Sequence, residues 1–174
     1  MEQLINITES MKTDLVSNYV IAGLDSYTLK KGMVRLFTNS RNHQDQVTPH
    51  SHRFDFTCLV LTGSVTNRLW RECEEEEGDF FEHSTLTYTG TIGEHSIKLK
   101  GRDFFVYADK VYNEGECYSM NSDDIHSISF SKGAKVLFFE GPSQSDESVI
   151  IEPVVDGRVI RTYQSLDYMF LSNQ

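Results

Sequence analysis

The chain has 174 residues, with 16 Lys and Arg against 26 Asp and Glu, for a formal net charge of −10. That length fits one domain whose core needs no staples, and an acid surplus with no basic tract argues against a nucleic-acid partner, because phosphate binding needs clustered Lys and Arg. No apolar run approaches the roughly 18 residues of a membrane span, Met1 to Leu4 lack a signal-peptide pattern, and three widely spaced cysteines (Cys58, Cys73, Cys117) without a CxxC pair point to a reducing, cytoplasmic setting.

Residues 1–20 carry a weak helical signal. Thr8 or Ser10 is a candidate cap, and Met11, Leu15, Tyr19 and Val20 fall near one face. Beyond them the texture changes to short β-branched and aromatic runs punctuated by Gly, Asn and Asp. The predicted strands are 27–29, 34–38, 54–61, 64–70, 80–88, 95–99, 104–111, 116–120, 127–130, 135–140, 149–154 and 158–162. Many short strands without alternating helices predict a β-barrel or sandwich, and the chain 1–174 reads as one domain with its barrel core at about 27–162. Gly63 is placed at a hairpin turn that needs positive φ. Gly78-Asp79 reads as a second hairpin tip, inside the stretch Glu72–Glu82 that holds seven acids and no base. Setting those acids aside leaves 19 against 16 bases, so most of the charge belongs to one segment.

Six histidines are present: His43, His50, His52, His83, His95 and His126. His50 and His52 stand at i, i+2, which on a strand puts both on one face, with Phe54, Phe56, Cys58 and Val60 continuing it. Two neutral imidazoles on an otherwise apolar face can grip one metal ion. His43 lies in a polar loop and His83 and His95 on strands, none with a second ligand at metal spacing; the strand histidines read as hydrogen-bonded side chains. Cys58 and Cys117 read as small core hydrophobes.

The stretch Pro49-His50-Ser51-His52, an apolar strand and then Gly63 resembles the first motif of the cupin superfamily. Phe56 stands where that motif often has Glu. The stretch from Gly115 to His126 resembles the second motif, one residue longer and without its common Pro. The resemblance spans roughly residues 45–142. It implies an all-β double-stranded β-helix, a jelly-roll-like barrel preceded by a short N-terminal helix. It also implies a metal held by His50, His52 and His126. Asp55 neighbours the position of the missing Glu, but a β-bulge would be needed to turn it inward. Asp124, two residues before His126, is positioned to orient an imidazole.

Three neutral ligands without a carboxylate are similar to the iron site of the cysteine dioxygenase family. The resemblance therefore implies an Fe(II) dioxygenase-like oxidoreductase acting on a small polar molecule. A non-redox isomerase or lyase using Zn, Ni or Mn is the alternative, with a metal- or ligand-binding module as the third reading. In that family a thiol beside the metal cross-links to a tyrosine. Cys58 has the inward parity, with Tyr107, Tyr112, Tyr118 and Tyr163 as possible partners, and Arg35 or Arg68 is the candidate for meeting a substrate carboxylate. The aromatic tail from Tyr163 to Leu171 suits a short helix on the barrel or the interface of a homodimer.

Overall fold

A computed structural model describes residues 1–29, 33–41, 47–88 and 95–160. One helix, α1 (Glu2–Ser10), precedes twelve strands: β1 (Lys12–Val16), β2 (Leu24–Leu29), β3 (Val34–Asn39), β4 (Phe54–Thr62), β5 (Ser64–Cys73), β6 (Asp79–Tyr88), β7 (His95–Asn113), β8 (Cys117–Met120), β9 (Ile125–Phe130), β10 (Lys135–Ser143), β11 (Glu147–Val155) and β12 (Arg158–Val159). Among the described residues no helix is long and apolar enough to cross a membrane.

The strands form two antiparallel six-stranded sheets. One runs β1-β2-β3-β10-β4-β8 and the other β12-β11-β6-β7-β5-β9. The segment 47–51 extends the second sheet beyond β9. His50 and His126 exchange both backbone hydrogen bonds at 2.9 Å, and Val47 N–H donates to Ile128 O. Eight segments in chain order (β3, 47–51, β4, β5, β7, β8, β9, β10) therefore cross between the sheets at every step except β5 to β7, as in a double-stranded β-helix, or jelly roll. The segment 47–51 also reaches β11, because Ser51 N–H donates to Val149 O and Ile151 N–H to Pro49 O. The second sheet thus closes on itself and leaves no free edge at this point.

Alternation explains the core. Along β4, Phe54, Phe56, Cys58 and Val60 are buried and meet Val136 and Phe138 of β10 and Tyr118 and Met120 of β8 between the sheets. A second apolar cluster lies on the other face of the second sheet. It joins Phe81, Phe105 and Ile151 to Trp70, Ile125 and Val149.

Three expectations are corrected. The helix ends at Ser10, residues 12–16 pair with β2 as a strand, and Thr8 sits inside the helix bonding Leu4 O rather than capping it. The two runs expected at 95–99 and 104–111 are one long strand, β7, which pairs with β6 along its first part and β5 along its last. For that reason Gly78-Asp79 is not a hairpin tip: β5 and β6 flank β7 and do not pair with each other. Gly78 passes so close to β7 that a Cβ there would collide with Phe105 O. The acids Glu74–Glu77 of this connection are exposed. Gly63 turns between β4 and β5 at φ +73°, as the hairpin requires. His43 and the tail from Tyr163 to Leu171 lie outside the described residues.

Candidate metal centre

The three histidines named by the motifs meet in one place. His50 and His126 are directly opposite across the 47–51/β9 pair, so their side chains leave the sheet on the same face. His52 follows two residues on, where the chain crosses towards β4, and its backbone N–H is held by Ser122 O at 3.1 Å. Ligand nitrogens from all three lie within 4.8 Å of one another, and the Nε2 atoms of His52 and His126 are 3.0 Å apart.

The outer nitrogens are tied down. His50 Nδ1–H donates to Thr48 O at 2.7 Å, and His126 Nδ1–H donates to Asn67 Oδ1 at 2.7 Å. A neutral imidazole carries one proton, so each bond leaves Nε2 as a lone pair facing the other rings. Asn67 is 1% exposed, and its Nδ2 is turned to Met120 Sδ, which fixes the direction of its oxygen. The rings stay neutral because burial makes the charged form costly. It lowers the pKa of His50 to about 4 and takes those of His52 and His126 well below the usual range, with the neighbouring imidazoles adding to the effect.

This donor set suits a divalent transition metal: three neutral nitrogens, two of them close enough to share one ion and two pre-oriented by their outer bonds. With metal–nitrogen bonds of about 2.1 Å, a 3.0 Å separation places two ligands at roughly a right angle on one ion. No fourth protein ligand joins them among the described residues. Phe56, in the place of the motif Glu, lies with its ring centroid 4.7 Å from that of His52 and 5.5 Å from that of His126.

Asp55 takes the outward parity. It accepts from Ser122 N–H at 2.8 Å and from Gln144 Nε2 at 2.6 Å, so it braces the β8–β9 turn and no bulge brings it inward. Asp124 accepts from Asn121 N–H within its own turn. The orienting role expected of Asp124 falls to Asn67, which sequence reasoning missed because it lies on β5, outside both motifs. Its signal was a polar residue between Val65 and Leu69 on the inward face of β5. His83 packs beside Asp103, its Nε2 3.2 Å from Asp103 Oδ2, on the far side of the second sheet.

The histidines open onto a cavity between the sheets. Counted out to its mouth, its volume is about 710 Å³. Its walls are chiefly aromatic, from Phe37, Phe54, Phe56, Phe138 and Tyr118. Cys58 stands directly across from Tyr118 in the β4–β8 pairing, so of the four tyrosines it is Tyr118 that neighbours the thiol. Burial pushes the Cys58 thiol up to about 12 and the Tyr118 phenol well above its ordinary value, so both stay protonated. Arg35 and Glu140 are the charged residues of the lining. Arg68 is not there: it forms a two-bond ion pair with Asp109 on the outer face and covers the Tyr107 ring at 3.6 Å.

At the wall, Tyr19 and Val20 come from the connection between β1 and β2. Val20 is buried at φ +55°, and Ile21 N–H donates to Tyr19 O across it at 2.6 Å. A β-branched residue in a γ-turn of this hand costs about 1–3 kcal/mol, which the surrounding contacts must offset.

No protein-family model matches the sequence, and no match is found among curated proteins. Solved structures do superpose on it. The Drosophila melanogaster CENP-C cupin domain matches over 80% of this chain and 98% of its own, at 12% identity and TM-score 0.40. KdgF from Halomonas sp. matches over 75% and 89%, at 12% identity and TM-score 0.41. Hydroxypropylphosphonic acid epoxidase from S. wedmorenis matches over 79% and 54%, at 9% identity and TM-score 0.41. These superpositions are partial, and the fold assignment stands on the strand order. The molecule is a cupin-type double-stranded β-helix with three histidines gathered inside it.

Proposed function

We propose that His50, His52 and His126 hold one divalent transition metal, Fe(II) by preference, and that the protein is a dioxygenase-like oxidoreductase acting on a small molecule in the cavity. The observation that carries this reading is the convergence of three neutral imidazoles whose outer nitrogens are already engaged. A structural zinc site is closed by a fourth protein ligand. Here the space beside the histidines is a cavity bounded by Phe56 and Phe138, which favours a centre with open positions.

When bound, such a metal supplies a site where substrate and dioxygen meet and exchange charge. The residues of the chain do the rest. Thr48 and Asn67 hold the imidazoles in the ligating tautomer. Phe54, Phe56 and Phe138 exclude water, and an apolar lining also suits dioxygen, itself apolar. Cys58 and Tyr118 remain neutral and add no competing charge. The apolar walls shift the expected substrate away from the small polar molecule that the sequence suggested.

The test is metal content after purification without chelator, followed by oxygen uptake of the Fe(II)-loaded protein. Wild type is expected to take up about one metal ion per chain, and His126→Ala to lose it while keeping the β-sheet circular dichroism of the parent. A wild type that takes up no metal, or a variant that keeps full occupancy, overturns the centre. Metal binding without oxygen uptake across thiol, phenol and catechol substrates overturns the dioxygenase step and turns the reading to Lewis-acid chemistry with Zn, Ni or Mn.

A further inference from the structure

We infer that residues 19–22, in the connection between β1 and β2, form a hinged strap that swings out to admit what reaches the histidines and shuts by seating Tyr19 and Val20 in the cavity wall. What passes the strap rests on the metal-centre reading, whereas the movement rests on the strap alone.

His50 and His126 are buried, so an incoming ion or substrate must pass the walls of the cavity. Those walls differ in how they are held. Apart from Tyr19 and Val20, the lining residues stand on β2, β3, β4, β8, β9 and β10 or on the segment 47–52, all fixed by backbone hydrogen bonds between segments. Opening at any of them breaks a ladder. Among the described residues the strap has no ladder to break. Tyr19 N–H donates to Leu24 O at 2.6 Å, Ile21 N–H to Tyr19 O at 2.6 Å and Leu24 N–H to Ile21 O at 3.2 Å. These bonds stay within the connection and the first residue of β2, and water replaces them when the tip moves out.

Hinges and latch are both in place. Asn18 and Gly23 flank the tip at φ +55° and +86°, a region these two residue types enter at least cost. Gly23 N–H donates to Asn18 Oδ1 at 2.8 Å and clips the hinges together. Ser40 N–H donates to Gly23 O at 2.9 Å and fixes that base to the chain beyond β3. The latch is made of side chains. The Tyr19 ring stacks on Phe37 at 5.6 Å and 26°, the Arg35 guanidinium lies 5.9 Å from the centre of the same ring, and Val20 enters the core cluster. Against the latch works the backbone of Val20, a β-branched residue at φ +55°, whose strain is released on opening. A tip shut by a few side chains and strained while shut is poised between two positions.

The experiment takes the full chain, stripped of metal by chelator, and mixes it rapidly with Co(II), whose visible spectrum reports uptake. Opening limits entry through a gate, so the uptake rate is expected to level off as Co(II) rises. Tyr19→Ala removes the latch and is expected to raise that plateau and the release rate alike, about threefold to tenfold, with Kd held within about twofold. Val136→Ala cuts a wall strand paired on both sides and is expected to leave the plateau unchanged. Both variants are checked for retained circular dichroism. Uptake that rises in proportion to Co(II) without levelling, an unchanged plateau in Tyr19→Ala, or an equal rise in Val136→Ala overturns the gate and leaves the metal centre standing. Amide hydrogen exchange reads the movement without metal. Tyr19 and Ile21 are expected to exchange at least about 100-fold faster than Leu36 and Phe37 of the central strand β3, and equal protection overturns the strap. Fast exchange of the strap in a chain that takes up no Co(II) sustains the movement and overturns the metal centre instead.

Discussion

The two faces of the second sheet, one residue apart along β9, have been given different work. His126 faces the cavity and Ser127 faces the cluster behind the sheet, where its Oγ accepts the Trp70 indole N–H at 3.0 Å. Behind the sheet, Phe81 packs edge-on to both Trp70 and Phe105, and Ile151 closes the cluster with no exposure. In front, the rings also pack on one another, Phe56 on Phe138 at 4.9 Å and Phe37 on Phe138 at 5.6 Å, but they border a cavity. Two buried polar atoms on that side, Arg35 Nε and Tyr118 OH, find no hydrogen-bond partner among the described residues, although the Cys58 thiol lies beside the phenol. Close packing with satisfied polar groups holds a fold together. Incomplete packing with polar atoms to spare leaves work for a ligand.

The largest effect should appear when the two faces are cut in the same way. Phe105→Ala, behind the sheet, is expected to cost about 3–5 kcal/mol, because the ring is buried in edge contact with Phe81. Phe138→Ala, beside the cavity, is expected to cost clearly less, since that ring already borders a void. Urea denaturation of both variants measures the difference, and equal losses would erase the distinction between the faces.

Between about pH 6.5 and 4, acid should act on the front through its buried histidines. The histidines of the unfolded chain take up protons near pH 6.5, whereas His50 in the fold does so only near about 4. Between those values the unfolded state binds more protons, so the stability of chelator-treated protein is full above pH 6.5 and falls as the pH drops towards 4. His126→Asn removes one of the buried imidazoles and is expected to flatten that fall. A pH series of thermal melts reads it, and an identical slope in the variant would refute the assignment.

The smallest effect is expected one residue away from the ligands. Asn67→Ala frees the His126 ring to turn and should weaken Co(II) binding about 10–100-fold, with Asn67→Asp restoring part of it through its carboxylate oxygen. Unchanged affinity in Asn67→Ala would show that packing alone holds the ring.

Much of this was legible beforehand. Alternation gave β4 its buried face, the i, i+2 spacing placed His50 and His52 together, and the second motif supplied His126. What escaped was set by pairing between distant segments. Nothing local tells that Gly101 lies within one continuous strand, that β7 separates β5 from β6, or that residues 12–16 find a partner in β2 and so leave the helix. Asn67 was hidden for the same reason, because its value comes from facing His126 across two strands. The apolar cavity was concealed by its own residues: Phe37, Phe56 and Phe138 read as core, and only the spacing between the sheets reveals that they do not fill it.

The doubly paired segment 47–51 separates two properties that many binding sites mix. His50 is located by main-chain bonds to β9 on one side while its neighbours bond β11 on the other, and no cavity side chain takes part in that anchorage. The walls, by contrast, are built chiefly from side chains on β3, β4, β8 and β10 and on the connection between β1 and β2. Substitution can therefore redraw what the centre meets without moving where the centre is. A scaffold divided in this way lends itself to acquiring new specificities one wall residue at a time, by natural drift or by design.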